Sequence, residues 1–303
     1  MKLALDPQMF YSTSSVLELP DIVASLGYDW MELSPKADFI PFFKYPRVDD
    51  ATVKQLKKIA KDAGVGIASV LPVLRWAGPD ETQRQAAVRA WRRAIQITVD
   101  LGVEVMNSEF NGRPEAHETA ESQFMRSMDE LLPIFEKEGL KLVLEPHPDD
   151  FIEDGHAAVE MVRGLNKDFI SFLYCTPHTF HQGNDPAGII GNAGSLVSYV
   201  HLADTLDHNA CHGLRYIVNP PGSTVRVHQH AEMGRGEVDF DAAFAALAKA
   251  GFDGVISSCV FGWEERAREV SIAQRDKAIA LIDRHFGTAV ATAITSSKVG
   301  GAS

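Results

Sequence analysis

The sequence predicts an α/β fold in which eight parallel strands close into a (β/α)8 barrel, and three observations carry that expectation. Eight short apolar runs alternate with helical stretches, one phrase recurs at the junctions, and the whole fits within 303 residues. The phrase is helix, glycine, two or three residues, strand: "KDAGVGIASV", "VDLGVEVMNS", "EKEGLKLVLE" and "AKAGFDGVIS". Glycine commonly ends a helix in the left-handed conformation. A parallel neighbour strand can only be reached by a crossover, which a helix supplies. An open doubly wound sheet is the alternative, but eight such units in a chain of this length favour closure.

Taken in order, the apolar runs place strands at 2–6, 28–33, 65–71, 103–107, 141–145, 169–175, 196–203 and 254–260. Apolar residues at helical spacing place helices at 52–63, 81–101, 121–137 and 240–250. Two segments break the rhythm. Residues 205–239 are far longer than the usual ~2–6-residue connection, and such loops generally serve as lids or binding loops. Residues 287–303, "TAVATAITSSKVGGAS" from 288 on, are small and low in complexity, and a C-terminal tail is expected after a single domain spanning 1–286.

Composition narrows the function. With 45% hydrophobic residues the chain can bury a full core. Forty-one acidic against 29 basic side chains give a net charge of −12, which repels polyanions, so no nucleic-acid partner is expected. Cys175, Cys211 and Cys259 have no framework spacing and Met1 leads straight into a strand-like run, so a cytoplasmic location is expected. No apolar run approaches the ~20 residues of a membrane helix.

In a barrel, chemistry collects at the C-terminal ends of the strands. Polar residues gather there. The fourth run leads into "NSEFNGR" with Glu109 and Arg113, and the fifth ends in "EPHPDD" with Glu145 and His147. The sixth ends in "CTPHTFH" with Cys175 and His178, and the seventh contains "VHLAD" with His201 and Asp204. The long loop contributes His208, His228, His230 and Arg235, and the eighth run ends at Cys259. Nine of the 11 histidines fall between His147 and His230, and histidine with carboxylate at converging strand ends fits a metal site. Each residue alone has a plainer reading: Glu145 as a solvated strand end, His201 as a hydrogen-bonded core histidine, the cysteines as small buried residues, and Asp149 and Asp150 as caps of the next helical turn. Convergence on one edge is what favours a site.

On these motifs the chain resembles the xylose isomerase-like TIM barrels, the sugar phosphate isomerase/epimerase superfamily, up to about Phe286. "EPHPDD" is similar to a Glu-Pro-Lys-Pro strand end, "CTPH" to Asp-x-x-His, "VHLAD" to Val-His-x-x-Asp, and "HQHAEMGRGE" to Asp-x-His followed by Gly-x-Gly. The resemblance implies Glu145 and His201 as metal ligands, with His178, His228 and His230 at a second metal position. Cys175 and Cys259 stand where the family has an aspartate and a glutamate. That leaves either thiolate ligation of a softer ion such as zinc, or an ion displaced toward the histidines. The expectation adopted is the second, with Mn²⁺ or Mg²⁺ rather than zinc.

His147 replaces the family's lysine, and an imidazole can accept and return a proton near neutrality. Two residues beyond Glu145 and on the same face, it is expected to act as base on a substrate held at the metal, with Glu109 and His178 as the other candidate acid–base groups and Arg113, Asp204, His208 and Arg235 as substrate contacts. Within the superfamily, "ELSPKADFIPFF", "NSEFNGRPE", "PHTFH" and "GWEERARE" look most like inositol-catabolism members and the large subunits of C-glycoside deglycosidases. The latter resemblance implies a carbon–carbon lyase acting on 3-oxo-C-glucosides by elimination, with a small second subunit and an oligomer as partners. An isomerase or epimerase of inososes or keto-sugars is the alternative; an apurinic endonuclease and a non-catalytic sugar-binding protein are more remote.

Overall fold

Each of the eight expected runs is a strand in the computed structural model, which describes residues 1–180, 183, 185–205 and 230–296. The strands are β1 Lys2–Leu5, β2 Trp30–Leu33, β3 Gly66–Val70, β4 Val105–Glu109, β5 Lys141–Glu145, β6 Ile170–Cys175, β7 Val197–Leu202 and β8 Val255–Ser258. They pair in parallel in chain order, and β8 returns to β1, with Lys2 opposite Val255 and Leu5 opposite Ser258, so the barrel is closed. Strand β4 runs two residues past its expected end. That extension brings Glu109 into register with Glu145 on β5.

The outer ring is built from α1 Leu19–Ser25, α2 Asp50–Asp62, α3 Glu81–Leu101, α4 His117–Glu138, α5 Gly155–Leu165, α6 Thr176–Phe180, α7 Pro186–Ala193, α8 Phe240–Lys249 and α9 Ala267–Phe286. Local chemistry fixes their ends. Asp80 starts α3 by accepting the Gln83 N–H, and Gly102 ends it at φ 77°. Helix α4 begins four residues before the expected position, after a single turn at Pro114–Ala116. The segment expected as a tail opens with α10 Thr288–Ser296, which packs on α9 and buries Ala291; residues 297–303 lie outside the described residues. No helix among the described residues is long and apolar enough to cross a membrane.

Most of the core lies between helices and barrel wall, where Trp76 and Trp91 stack with ring centroids 4.2 Å apart and Phe124 meets Trp76 edge-on. Inside the barrel, residues alternate along each strand. Val143, Leu173, Tyr199 and Val255 fill a lower layer, and Glu145, Cys175, His201 and Ser257, each two residues further on, form the layer above. The strands thus change from apolar to polar inward residues just where they reach the C-terminal edge.

Candidate metal centre and proton-transfer site

His201 is buried between two carboxylates. Its Nδ1 lies 3.1 Å from Glu145 Oε2, and its Nε2 lies 3.2 and 3.1 Å from the two oxygens of Glu32. Burial disfavours the imidazolium, but Glu145 and Glu32 outweigh it and hold the His201 pKa well above the usual range. Burial would likewise raise Glu145, yet His201 and His178 keep its carboxyl well below the ordinary value. Glu32 also accepts from Asn107 Nδ2 at 2.8 Å and from the Tyr199 hydroxyl at 3.2 Å. Its position was not singled out in the sequence, because "YDWMEL" reads as an apolar run; the inward period shared with Trp30 was the available signal.

A second group converges beside the first. His178 Nδ1 is 3.0 Å from the Pro146 carbonyl oxygen and His230 Nδ1 is 2.8 Å from that of Cys259. A carbonyl only accepts, so each Nδ1 carries the proton and each neutral ring presents a lone pair at Nε2. The two Nε2 atoms face each other at 3.1 Å. Two lone pairs at that separation require a proton or a cation between them. With no metal the proton belongs to His178: burial opposes it, but Cys175 and Glu145 raise this imidazole, while burial and the neighbouring His178 charge push His230 well down.

Cys175 joins both groups. Donor atoms of Glu145, Cys175 and His201 lie within 4.8 Å of one another, and so do those of Cys175, His178 and His230. Histidines whose second nitrogen is pinned by a carbonyl or carboxylate are the ordinary way a protein orients metal ligands. The donor set therefore fits a divalent ion. Its composition corrects two expectations: Cys175 is inside the cluster rather than bypassed, and imidazole, thiolate and carboxylate donors together suit zinc at least as well as Mn²⁺ or Mg²⁺. Cys259 stands outside both groups, with Sγ 3.7 Å from Asp6 Oδ2 and its thiol kept protonated by burial.

His147 follows β5 and lies against the cluster, its ring centroid 4.5 Å from that of His178. Its Nδ1 donates to the Pro148 carbonyl oxygen at 2.8 Å, so Nε2 is the basic nitrogen; burial lowers the pKa and favours the neutral ring. Glu109 Oε1 is 3.6 Å from that Nε2. Burial, then the nearby Glu145 charge, lifts the Glu109 pKa to about 8, so near neutrality this carboxyl is an acid facing a base. A cavity of about 180 Å3 is lined by Glu109, Glu145, His147, His178, His201 and His230 together with Asp6 and Phe42.

Other expected contacts are corrected. Asp204 is not presented to substrate: its oxygens accept the backbone N–H groups of Thr205, Gly234, Gly236 and Val238 at 2.8–3.1 Å, tying the return of the long loop to β7. Arg235 is 61% exposed and sits 3.7 Å from Glu232, lining neither cavity of the site. Asp150 does not cap the following turn alone; it also accepts from the Asn111 and Gly112 backbones, clamping the β4 loop. Arg113 lines an adjoining cavity. His208 and His228, and most of the 205–239 loop expected to close over substrate, lie outside the described residues.

The Xylose isomerase-like TIM barrel family matches residues 20–276. The chain belongs to this family. Among xylose isomerase-like relatives, an inosose isomerase of Bacillus velezensis is 18% identical over 293 residues, covering 94% of this chain and 99% of the relative. A crystal structure of the IOLI protein with a bound zinc atom superposes with a TM-score of 0.76 at 19% identity, covering 95% of this chain and all of that one. An L-ribulose 3-epimerase structure gives 0.73 at 16% identity, with 98% of each chain covered.

Proposed function

We propose that the protein is a metal-dependent isomerase or epimerase that removes a proton α to the carbonyl of an inosose or keto-sugar. The observation that carries this reading is the pairing of His147 Nε2 with Glu109 Oε1 at 3.6 Å, on the wall of the same cavity as Glu145 and His201 of the donor set. His147 takes the C–H proton at Nε2 and the electron pair passes to the carbonyl oxygen. Glu109, protonated below its pKa of about 8, gives a proton to that oxygen; as a proton returns to carbon, Glu109 takes one back from the neighbouring hydroxyl in isomerisation or from the same oxygen in epimerisation, so protons balance. A divalent ion, when bound, supplies positive charge for the developing oxyanion, and the thiolate–imidazole character of the set together with the zinc atom of the similar IOLI structure favours zinc.

The inosose isomerase and epimerase relatives support isomerisation over the carbon–carbon cleavage implied by the sequence resemblance. Cleavage of a 3-oxo-C-glucoside begins with the same proton abstraction and retains one specific support, the larger cavity beside Glu109. The net charge of −12 argues against the endonuclease alternative. The test is exchange of the substrate α-hydrogen with solvent deuterium, using zinc-loaded protein with inososes and ketohexoses. His147→Ala is expected to slow exchange by ~10²–10⁴-fold with metal content unchanged. Undiminished exchange in that variant removes His147 from the mechanism, and no exchange by the wild type with any of these substrates removes the reading.

A further inference from the structure

One wall of the cavity of about 180 Å3 has no part in the enolisation. In a closed barrel of eight strands in chain order β1 stands across from β5, so Asp6, which follows β1, lines the chamber from the side away from Glu145 and His147. Gln8, Ser34 and Cys259 line it with Asp6.

The two oxygens of Asp6, a residue only 2% exposed, are treated unequally. Oδ1 accepts from the Ser34 hydroxyl at 2.7 Å, the Gln8 N–H at 3.1 Å and, more distantly, the Tyr11 hydroxyl at 3.5 Å. Oδ2 has the Cys259 thiol at 3.7 Å, a weak donor. Both oxygens of Asp204, by contrast, are closed by backbone N–H groups. A buried carboxyl oxygen ordinarily has a strong partner, and one without it on a cavity wall has capacity for a ligand. A hydroxyl suits that oxygen in either protonation state, donating to the carboxylate or accepting from the acid.

Gln8 opens the single helical turn Gln8–Phe10 and is half-buried at the same cavity. Its backbone anchors Asp6, while among the described residues its side-chain amide makes no hydrogen bond. An amide offers both donor and acceptor, so with Asp6 Oδ2 it matches two adjacent hydroxyls. The chamber walls carry the carboxyl groups of Asp6, Glu109 and Glu145 and, among the described residues, neither lysine nor arginine. That balance favours neutral hydroxyls over an anionic group.

We infer that Asp6 and Gln8 form a subsite for a pair of adjacent hydroxyls at the end of the keto-sugar away from its carbonyl, and so select which sugars are held for enolisation. The placement of the carbonyl rests on the proposed function; the subsite rests on Asp6 Oδ2, the Gln8 amide and their shared wall. Ligand-observed NMR on the zinc-loaded protein tests it with 2-keto-myo-inositol and with 2-hydroxycyclohexanone, which keeps the ring, the carbonyl and one neighbouring hydroxyl but lacks the others. Wild type is expected to bind the first at least ~10-fold more tightly. Asp6→Ala and Gln8→Ala should each cut that preference by ~5-fold or more, with affinity for 2-hydroxycyclohexanone and zinc content unchanged. Gln8→Ala keeps the test decisive if Asp6→Ala, which also removes the anchor of Ser34 and Tyr11, fails to fold. Equal affinity of wild type for the two probes, an unchanged preference in either folded variant, or a loss that weakens both probes alike would each overturn the assignment. Binding needs no turnover. Protein that shows the preference but exchanges no α-hydrogen therefore contradicts the enolisation reading alone, and protein that exchanges it without the preference contradicts the subsite alone.

Discussion

Glu145 and Asp204 are both buried carboxylates at the C-terminal edge of the barrel, 2% and 1% exposed, one ending β5 and the other two residues past β7. Asp204 is closed by four backbone N–H donors, which cannot move and cannot be deprotonated in the working range. Glu145 instead faces His178 Nδ1 at 3.3 Å and His201 Nδ1 at 3.1 Å, and His201, whose two nitrogens both face carboxylates, gives both hydrogen bonds only while it is an imidazolium. One carboxylate has been spent on architecture, and the other stands among groups whose protons a metal ion can replace. The difference teaches where to look for function: among buried polar groups, at those whose partners are titratable rather than fixed.

The largest effect on stability is expected on the architectural side. Asp204→Ala orphans four N–H groups at once and should lower unfolding stability by ~3 kcal/mol or more, equally with and without metal. Urea unfolding of both forms checks this; a loss confined to the metal-loaded form would place Asp204 in the site after all.

Glu109 sharpens the contrast by its pH dependence. Its folded pKa of about 8 lies above the ordinary 4.5, so the folded protein keeps a proton that the unfolded chain releases. The sign follows: the metal-free protein is most stable below pH ~4.5 with respect to this group, and loses roughly 1–3 kcal/mol progressively from there until the loss is complete at about pH 8. Glu109→Gln should flatten that slope. An unchanged pH profile would mean that Glu109 is ionised in the folded protein and is no acid at neutrality.

The smallest effect is expected at Glu32, which orients His201 from beneath. Glu32→Gln should weaken zinc affinity by ~10–100-fold while the fold is kept, measured by competition with a chromogenic chelator. Equal affinity would make Glu32 a core group with no part in the metal centre.

The barrel itself was legible, because period-two apolar runs and glycine helix stops are local signals; all eight strands lie within two residues of their expected limits at either end. So was the convergence of Glu145, His147, His178 and His201 on one edge, since each lies in or just after the last residues of an apolar strand, with His230 supplied by the loop after β7. What was hidden depends on distance in the chain. Asp204 looked like a substrate contact because three of the four amides that close it come from residues 30 to 34 positions later, brought back by the loop. Glu32 sat inside an apolar run, 169 positions from the histidine it orients. Cys175 looked like a departure from which the ion is displaced toward the histidines, whereas its neighbours on β5 and β7 place donor atoms beside it.

The central claim is that the β5–β7 rim is a cation site organised by Glu145. Elemental analysis of Glu145→Gln beside wild-type protein, both purified with zinc and dialysed, tests it directly. Wild type should retain about one equivalent or more and the variant less than a tenth of that, with the far-ultraviolet circular dichroism unchanged. A full equivalent of zinc in Glu145→Gln would contradict the account.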